Sequence, residues 1–313
     1  MTTSVGIDIG GTKILGIALD PDDPTSLLAE KRVPTPPTTP GLLAAVVEVV
    51  QALTQEVGSV GIGIAGLVDR GGVLRVSPNL SHLRGVDLVS ELRRQLGDVA
   101  ITVDNDGTVA AWGEHCAGAA RGHPDVVVLT LGTGVGGGFV VDGQVVRGAH
   151  GFAAEVGHMV VDPNGPPCPC GRVGCWERYA SGHGLARLAR DLADAGRLPR
   201  ARELAGGDAL QVKGEHVAAA AREGDDASRE LLDTYAGWVA LGVGNLITLL
   251  DCGMVVISGG VVELGELLFD PLQAKVPAHI MAAADHAPVP VVPAQLGSKA
   301  GAIGAAMLGA AAR

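Results

Sequence analysis

The chain has 313 residues and a formal net charge of −11. That charge argues against nucleic acid as the main partner, since a polyanion needs a basic footprint, though a local phosphate site remains compatible with it. Hydrophobic residues make up 47% but aromatics only 3%, so the expected core is Val, Leu, Ile and Ala, in about two domains for this length. The opening Met1-Thr2-Thr3-Ser4-Val5 has no basic segment followed by an apolar leader. The most apolar span, Tyr235 to Leu250, carries Asn245 and is short for a membrane crossing. These features predict a soluble, cytoplasmic protein without a membrane partner.

In chain order, Ser4 to Gly10 reads as a buried strand and Ile14 to Leu19 as a second. They are joined by a turn that makes Asp8-Ile9-Gly10-Gly11-Thr12-Lys13 a hairpin motif. An ordinary tight hairpin would also use Gly-Gly. The combination with Asp8, Thr12 and Lys13 favours a phosphate site: the glycines let backbone N–H groups approach an anion, Thr12 and Lys13 add donors, and Asp8 can hold a hydrated Mg²⁺. The pattern is not a P-loop, which needs a longer glycine spacing opening a helix. Pro34 to Pro40 reads as a surface connection, Leu42 to Val57 as a helix, and Val60 to Ala65 as a strand ending in Gly66. Ser77-Pro78-Asn79-Leu80 is a polar loop, Leu88 to Leu96 an amphipathic helix, and Ala100 to Val103 a strand.

That strand delivers Asp104-Asn105-Asp106-Gly107, followed by a helix over Thr108 to Ala117. Polar residues at such a strand-to-helix junction face the ligand crevice of an open α/β sheet. A helix cap would need only one of them. Val126 to Leu131 is an apolar strand running into Gly132-Thr133-Gly134 and the following glycines, then a strand through Val141 and an Asp142-Gly143 turn. This repeats the opening pattern of strand, glycine turn and strand, and the two tips could grip a triphosphate from opposite sides of a cleft. Further on, Leu185 to Ala195, His216 to Arg222 and Ala227 to Leu250 read as helices. Met254 to Ser258 is a strand ending in Gly259-Gly260, where small residues would let an adenine or ribose lie against the backbone. Val289 to Val292 is a last strand, and Ser298 to Ala311 a small-residue helix. Strand and helix alternate throughout, which is an α/β pattern.

Near the middle, three of the five cysteines, Cys168, Cys170 and Cys175, fall within eight residues, and His158 lies ten residues before the first. Three thiols and an imidazole make a ligand set for tetrahedral structural zinc, and Gly165, Pro166, Pro167 and Pro169 suit a tight metal loop. One disulfide with a spare thiol is the competing explanation, but nothing else points to an oxidising compartment.

Taken together, Asp8 to Lys13, Asn105-Asp106, Gly132 to Gly138, Glu155 to His158, Cys168 to Glu177 and Gly259-Gly260 resemble the ROK family of sugar kinases, repressors and related proteins. The resemblance covers the whole chain, and within the family it is greatest to the bacterial kinases that phosphorylate glucose. It implies an actin-like ATPase fold of the hexokinase type, with two α/β domains and a cleft between them. The small domain would span 1–108, with the C-terminal helix at 298–313 returning to it, and the large domain 109–297 with the zinc loop. It also implies that Asp106 is the general base, and that Asn105, Glu155, His158 and Glu177, with Gly66 and Asn79, bind the sugar. His158 would then serve both zinc and sugar, through different ring nitrogens. Asp8, Gly10, Gly11, Thr12, Lys13, Gly132, Thr133 and Gly134 would face the phosphates and Mg²⁺, and Gly259 and Gly260 the adenosine.

The implied reaction is ATP-dependent phosphorylation of glucose at its 6-hydroxyl, by a dimer or tetramer. A different hexose, an N-acetylhexosamine or a polyphosphate donor are alternatives within the family. A sugar-sensing repressor is another, but repressor members carry a DNA-binding helix-turn-helix ahead of the sugar domain, and here the hairpin begins at Ser4.

Overall fold

The computed structural model describes residues 2–20, 23, 25–77 and 79–312. Pro78, in the polar loop expected over 77–80, and Arg313, at the end of the expected last helix, lie outside the described residues. The chain begins β1 (Thr3–Ile9), β2 (Lys13–Leu19), β3 (Leu27–Pro34), α1 (Thr39–Leu53), β4 (Val57–Ile64), β5 (Leu67–Val68), β6 (Leu74–Val76) and α2 (Leu88–Leu96). It continues with β7 (Ala100–Asn105), α3 (Asp106–Ala117), β8 (Val126–Leu131), β9 (Val135–Val141), β10 (Gln144–Val145), α4 (Glu177–Ala180), α5 (Gly182–Asp194) and α6 (Pro199–Leu204). It ends with α7 (Gly214–Arg222), α8 (Asp226–Leu250), β11 (Met254–Ser258), α9 (Glu266–Lys275), β12 (Val291–Pro293) and α10 (Ala300–Ala311). The strands form two five-stranded sheets, ordered β3-β2-β1-β4-β7 and β10-β9-β8-β11-β12, and a small β5-β6 ribbon. This is the α/β architecture that the alternating pattern predicts.

Two compact units emerge, Met1–Val128 with Gly137–Ala154 and Ala294–Arg313, and Leu129–Gly136 with Glu155–Pro293. In the first unit β1 pairs antiparallel with β2 and parallel with β4, and β4 pairs parallel with β7. The register aligns Ile9 with Ile64 and Ile64 with Asn105, so the carboxyl ends of three parallel strands finish level. That common edge is where open α/β sheets bind ligands, and it presents Asp8, Gly66, Asn105 and Asp106.

One face of this sheet is covered by α1 and α2, burying Val5, Ile7, Ile62, Leu42, Val46 and Leu92 among others. Thr38 caps α1, its side chain accepting from Gly41 N, and Asp87 caps α2 by accepting from Ser90 N; both residue types suit that position. The other face takes α10 against Leu15, Ile17 and Leu19. A Cβ at Gly61 would overlap the Ala305 carbonyl oxygen, so the small residues of strand and helix permit backbone-to-backbone contact. Gly61→Ala is therefore expected to cost about 1–3 kcal/mol through overpacking, read as a lower Tm. An unchanged Tm would contradict this packing. At the foot of α3 the buried Glu114 accepts from the N–H groups of Ala119, Gln295 and Leu296 at 2.8, 3.1 and 2.8 Å, which fixes the approach to α10.

In the second unit, α8 starts at Asp225, whose side chain accepts from Ser228 N, and stops at Asp251 in the left-handed region. Its Trp238 carbonyl accepts from the fully buried Trp176 Nε1 at 2.8 Å, Tyr235 Oη donates to Ala180 O at 2.7 Å, and Tyr179 stacks on the Trp238 ring. These contacts anchor α4 on α8. No helix among the described residues is long and apolar enough to cross a membrane.

Several boundaries differ from the sequence reading. The helix expected through Val57 ends at Leu53, because Val57 opens β4 and Glu56 O accepts from Thr3 N, pairing the segment with β1 instead. Helix α3 begins at Asp106 rather than Thr108, since Asn105 is its cap. Strands β3 and β10 and helices α6 and α9 were not anticipated.

Candidate active site

Two groups of chemically active residues form, one in each unit. In the first, Gly10 N donates to Lys13 O at 3.0 Å and closes the β1–β2 turn, leaving Gly11, Thr12 and Lys13 exposed. Thr35, which no motif marked, fixes that turn: its Oγ1 donates to Gly10 O at 2.7 Å and its N–H to Thr12 O at 3.0 Å. Asn79 packs over Gly11, so close that any Cβ there would press on it. The structure thus brings together the expected phosphate turn and an expected sugar ligand.

Asp106 opens α3. Asn105 caps this helix by accepting from Thr108 N through Oδ1 at 3.1 Å. Its Nδ2 donates to Gly66 O and to Asp106 Oδ1, both at 3.0 Å. The choice between cap and functional residue is therefore no choice: Asn105 caps with its oxygen and orients Asp106 with its nitrogen. Gly66, at φ +137, accepts this bond in a conformation that L residues avoid. Asp106 Oδ1 also accepts from Gly107 N at 2.9 Å. Burial pushes the Asp106 carboxyl above the usual range, and the N–H donors, Gly107 first, pull against it.

Asp8 is pushed up to about 6, first by burial and then by the nearby Asp106 carboxylate, with Lys13 opposing. A raised folded-state pKa means that the folded protein binds the extra proton between about pH 4 and 6. The ionised carboxylate is then a cost that is fully present above pH 6 and relieved as pH falls. Without metal, Asp8→Asn is expected to stabilise the fold at pH 7–8 by on the order of 1–2 kcal/mol, given the residue's partial access to water, and so to raise Tm. If Asp8 holds Mg²⁺, as the family resemblance implies, the same variant should need more Mg²⁺ and turn over more slowly, with the affinity for the expected sugar, glucose, unchanged in the absence of nucleotide. Weaker glucose binding in calorimetry would move Asp8 into the sugar site.

In the second unit, the ligand atoms of His158, Cys168, Cys170 and Cys175 all lie within 4.8 Å of one another. Tetrahedral zinc with Zn–S bonds of about 2.3 Å sets its sulfurs about 3.8 Å apart. Cys170 and Cys175 Sγ are 3.6 Å apart, and Cys168 Sγ is 3.8 Å from His158 Nδ1. The cluster fits zinc in both donor set and spacing. Its loop is self-bonded: Cys168 N donates to Arg172 O and Gly171 N to Cys168 O. Burial pushes Cys168 up, and Cys175 to about 12; at Cys170 burial also pushes upward, but hydrogen bonds from Arg172, Cys168 and Cys175 together bring it down to about 6.

Both carboxylates expected to meet sugar flank this cluster. Glu155 Oε2 is 4.0 Å from His158 Nε2, the ring nitrogen opposite the one that faces the thiols. Glu177, the first residue of α4, has Oε1 3.8 Å from Cys168 Sγ, while Oε2 accepts from Val135 N at 3.2 Å. Part of the Glu177 acceptor capacity therefore goes to the glycine loop, a link that spacing could not reveal.

That loop runs from Gly132, whose carbonyl accepts from Gly182 N at 2.7 Å at the start of α5. Beside it lies a cavity of about 520 Å³, lined by Leu131, Gly132, Thr133, Leu185, Gly260 and Leu264 among others. Gly259 has φ +91 and no room for a Cβ against the Leu131 backbone, while Gly260 faces open space. Lys213, Glu215, Arg222 and Glu263 also line the cavity. Sequence reading missed them, because charged residues at helix ends and in a short turn look like ordinary solvated positions.

The ROK family model matches residues 4–312. A glucokinase of Streptomyces coelicolor is 36% identical over 315 aligned positions, covering 98% of each chain. An N-acetylmannosamine kinase of Salmonella heidelberg is 35% identical over 312 positions, again covering 98% of each. Among solved structures, a ROK family glucokinase from Streptomyces griseus in complex with glucose and AMPPNP aligns with a TM-score of 0.83 and 37% identity, over 99% of both chains.

Proposed function

The chain belongs to the ROK family, and we propose that it is a glucokinase, transferring the γ-phosphoryl group of ATP to the 6-hydroxyl of glucose. The observation that carries this reading is the Gly66–Asn105–Asp106 arrangement. A carboxylate oriented by an amide, at the carboxyl ends of parallel strands and beside an accessible glycine turn, is equipped to take the proton of a reacting hydroxyl. Burial raises its basicity, which suits a general base. Glu155, Glu177, Asn105, His158 Nε2, Gly66 and Asn79 are the sugar ligands of this reading. Carboxylates and amides that bond ring hydroxyls reject analogues lacking them. In this reading the backbone of Gly10 and Gly11, with Thr12 and Lys13, would bond phosphate oxygens from the first unit, and that of Gly132 and Gly134, with Thr133, from the second. Mg²⁺, held through Asp8, would neutralise charge on those oxygens. His158, Cys168, Cys170 and Cys175 would hold zinc, which would order the segments bearing Glu155 and Glu177.

The apolar part of the 520 Å³ cavity, Leu131, Leu185, Ala218, Val261 and Leu264, supports a nucleoside-bearing donor over a bare polyphosphate chain, which has no surface to bury there. The N-acetylmannosamine kinase relative keeps an N-acetylhexosamine as the second sugar reading. The test is kcat/KM for glucose, fructose, mannose and N-acetylmannosamine, with ATP and with polyphosphate. Glucose with ATP is expected to lead; a lead for N-acetylmannosamine or polyphosphate would overturn that part. A cytoplasmic location and a homo-oligomer belong to the same proposal. Light scattering decides the assembly, and a monomer would contradict it.

A further inference from the structure

Asp104 stands just before Asn105 and Asp106. It is buried, with 8% of its surface exposed, at a place where a carboxylate is costly unless paired. Its Oδ1 accepts from Asn105 N at 3.0 Å, and its Oδ2 from Arg147 Nε at 2.6 Å. Arg147 belongs to a segment bonded on itself and to its surroundings. Its carbonyl accepts from Ala153 N at 3.2 Å, and the neighbouring Gly148 carbonyl accepts from Arg70 Nε and Nη2 at 2.8 and 2.6 Å. From there the chain passes through Ala154, at φ +68, directly into Glu155. One ion pair, buried at Asp104 and partly exposed at Arg147, thus joins the end of β7, where the proposed base is held, to the segment that leads into a proposed sugar ligand.

We propose that Asp104 and Arg147 are positioning residues for phosphoryl transfer: Arg147 holds Asp104, Asp104 holds the Asn105 backbone, and Asn105 orients Asp106. The inference rests on the reading of Asp106 as base. Its physical content is that a neutral, fully bonded strand end keeps the base in one geometry, and small misplacements of a reacting group are expensive. A pair that served stability alone would affect Tm and leave turnover untouched.

The pair borders a cavity of about 380 Å³, so an uncharged side chain at 147 meets little steric conflict. In Arg147→Met the Asp104 carboxylate keeps its burial and loses its counter-charge. The expected result is a kcat about 10- to 100-fold lower with glucose, with KM for ATP little changed. Arg147→Lys should recover most of this, since a single Nε contact carries the pair. The double variant Asp104→Asn with Arg147→Met should also recover most of it, because the stranded charge is gone while Asn Oδ1 still accepts from Asn105 N. Circular dichroism checks folding; if Arg147→Met does not fold, Arg147→Gln keeps one donor, and its kcat should fall below both the wild-type and the Lys values. Wild-type kcat in Arg147→Met or Arg147→Gln, or a loss that the double variant does not relieve, overturns the positioning role and leaves the kinase reading standing. A wild-type protein that phosphorylates no sugar overturns both.

Discussion

Asp106→Asn is expected to lower kcat by about 10²- to 10⁴-fold, the usual size of a general-base contribution, with glucose binding changed far less. Asn keeps the shape of Asp and an oxygen that can still accept from Gly107 N and Asn105 Nδ2, both bonded to Asp106 Oδ1 in the structure. What it loses is the capacity to take a proton as the O–P bond forms. Phosphoryl transfer leaves a protein little covalent work beyond positioning and charge stabilisation, so residual turnover above background should survive. Steady-state kinetics together with calorimetric titration of glucose separate the two effects. A variant that keeps half its wild-type kcat removes Asp106 from the base role.

The second large effect concerns the metal. Cys175→Ala, at a fully buried position, is expected to lose zinc and nearly all activity while retaining most secondary structure. Retention follows from the packing around the loop: Trp176, Tyr179 and Tyr235 tie α4 to α8 without using the thiols. Loss of function would follow from Glu155 and Glu177, which flank the cluster and whose geometry a bound metal would order. Nucleotide binding should be much less affected than glucose binding. Because zinc binds thiolates, its uptake releases protons, and its affinity should fall as pH is lowered. Zinc content, circular dichroism and separate titrations with glucose and a non-hydrolysable ATP analogue check this. Normal glucose binding in Cys175→Ala would make the metal a remote staple, and outright unfolding would mean that it holds the whole unit.

What could be read in the chain was what depends on short range. The β1–β2 hairpin follows from a glycine turn between two apolar runs, and the cysteine cluster from ligands close in sequence. Asp106 at a strand-to-helix junction follows from the change of period there. Long-range effects were not readable. Strand β3 carries Glu30, Lys31 and Arg32 and exposes five of its eight residues, so no apolar alternation marks it; only pairing with β2 makes it a strand. Helix α9 holds Pro271 in its interior, a residue that normally argues against a helix. At the site, the bond from Asn105 to Gly66 spans 39 residues and that from Val135 to Glu177 spans 42. No spacing rule reaches so far. The cavity-lining charges of α7 were invisible for the same reason: they gain meaning only from Gly132 and Gly260 beside them.

The central claim, phosphoryl transfer from ATP to the 6-hydroxyl of glucose, is tested most directly by identifying the product. Purified protein with zinc, Mg²⁺, ATP and glucose, followed by phosphorus NMR, is predicted to yield ADP and glucose 6-phosphate in equal amounts. Phosphate attached at another hydroxyl, or ADP with free phosphate and unmodified glucose, would contradict it.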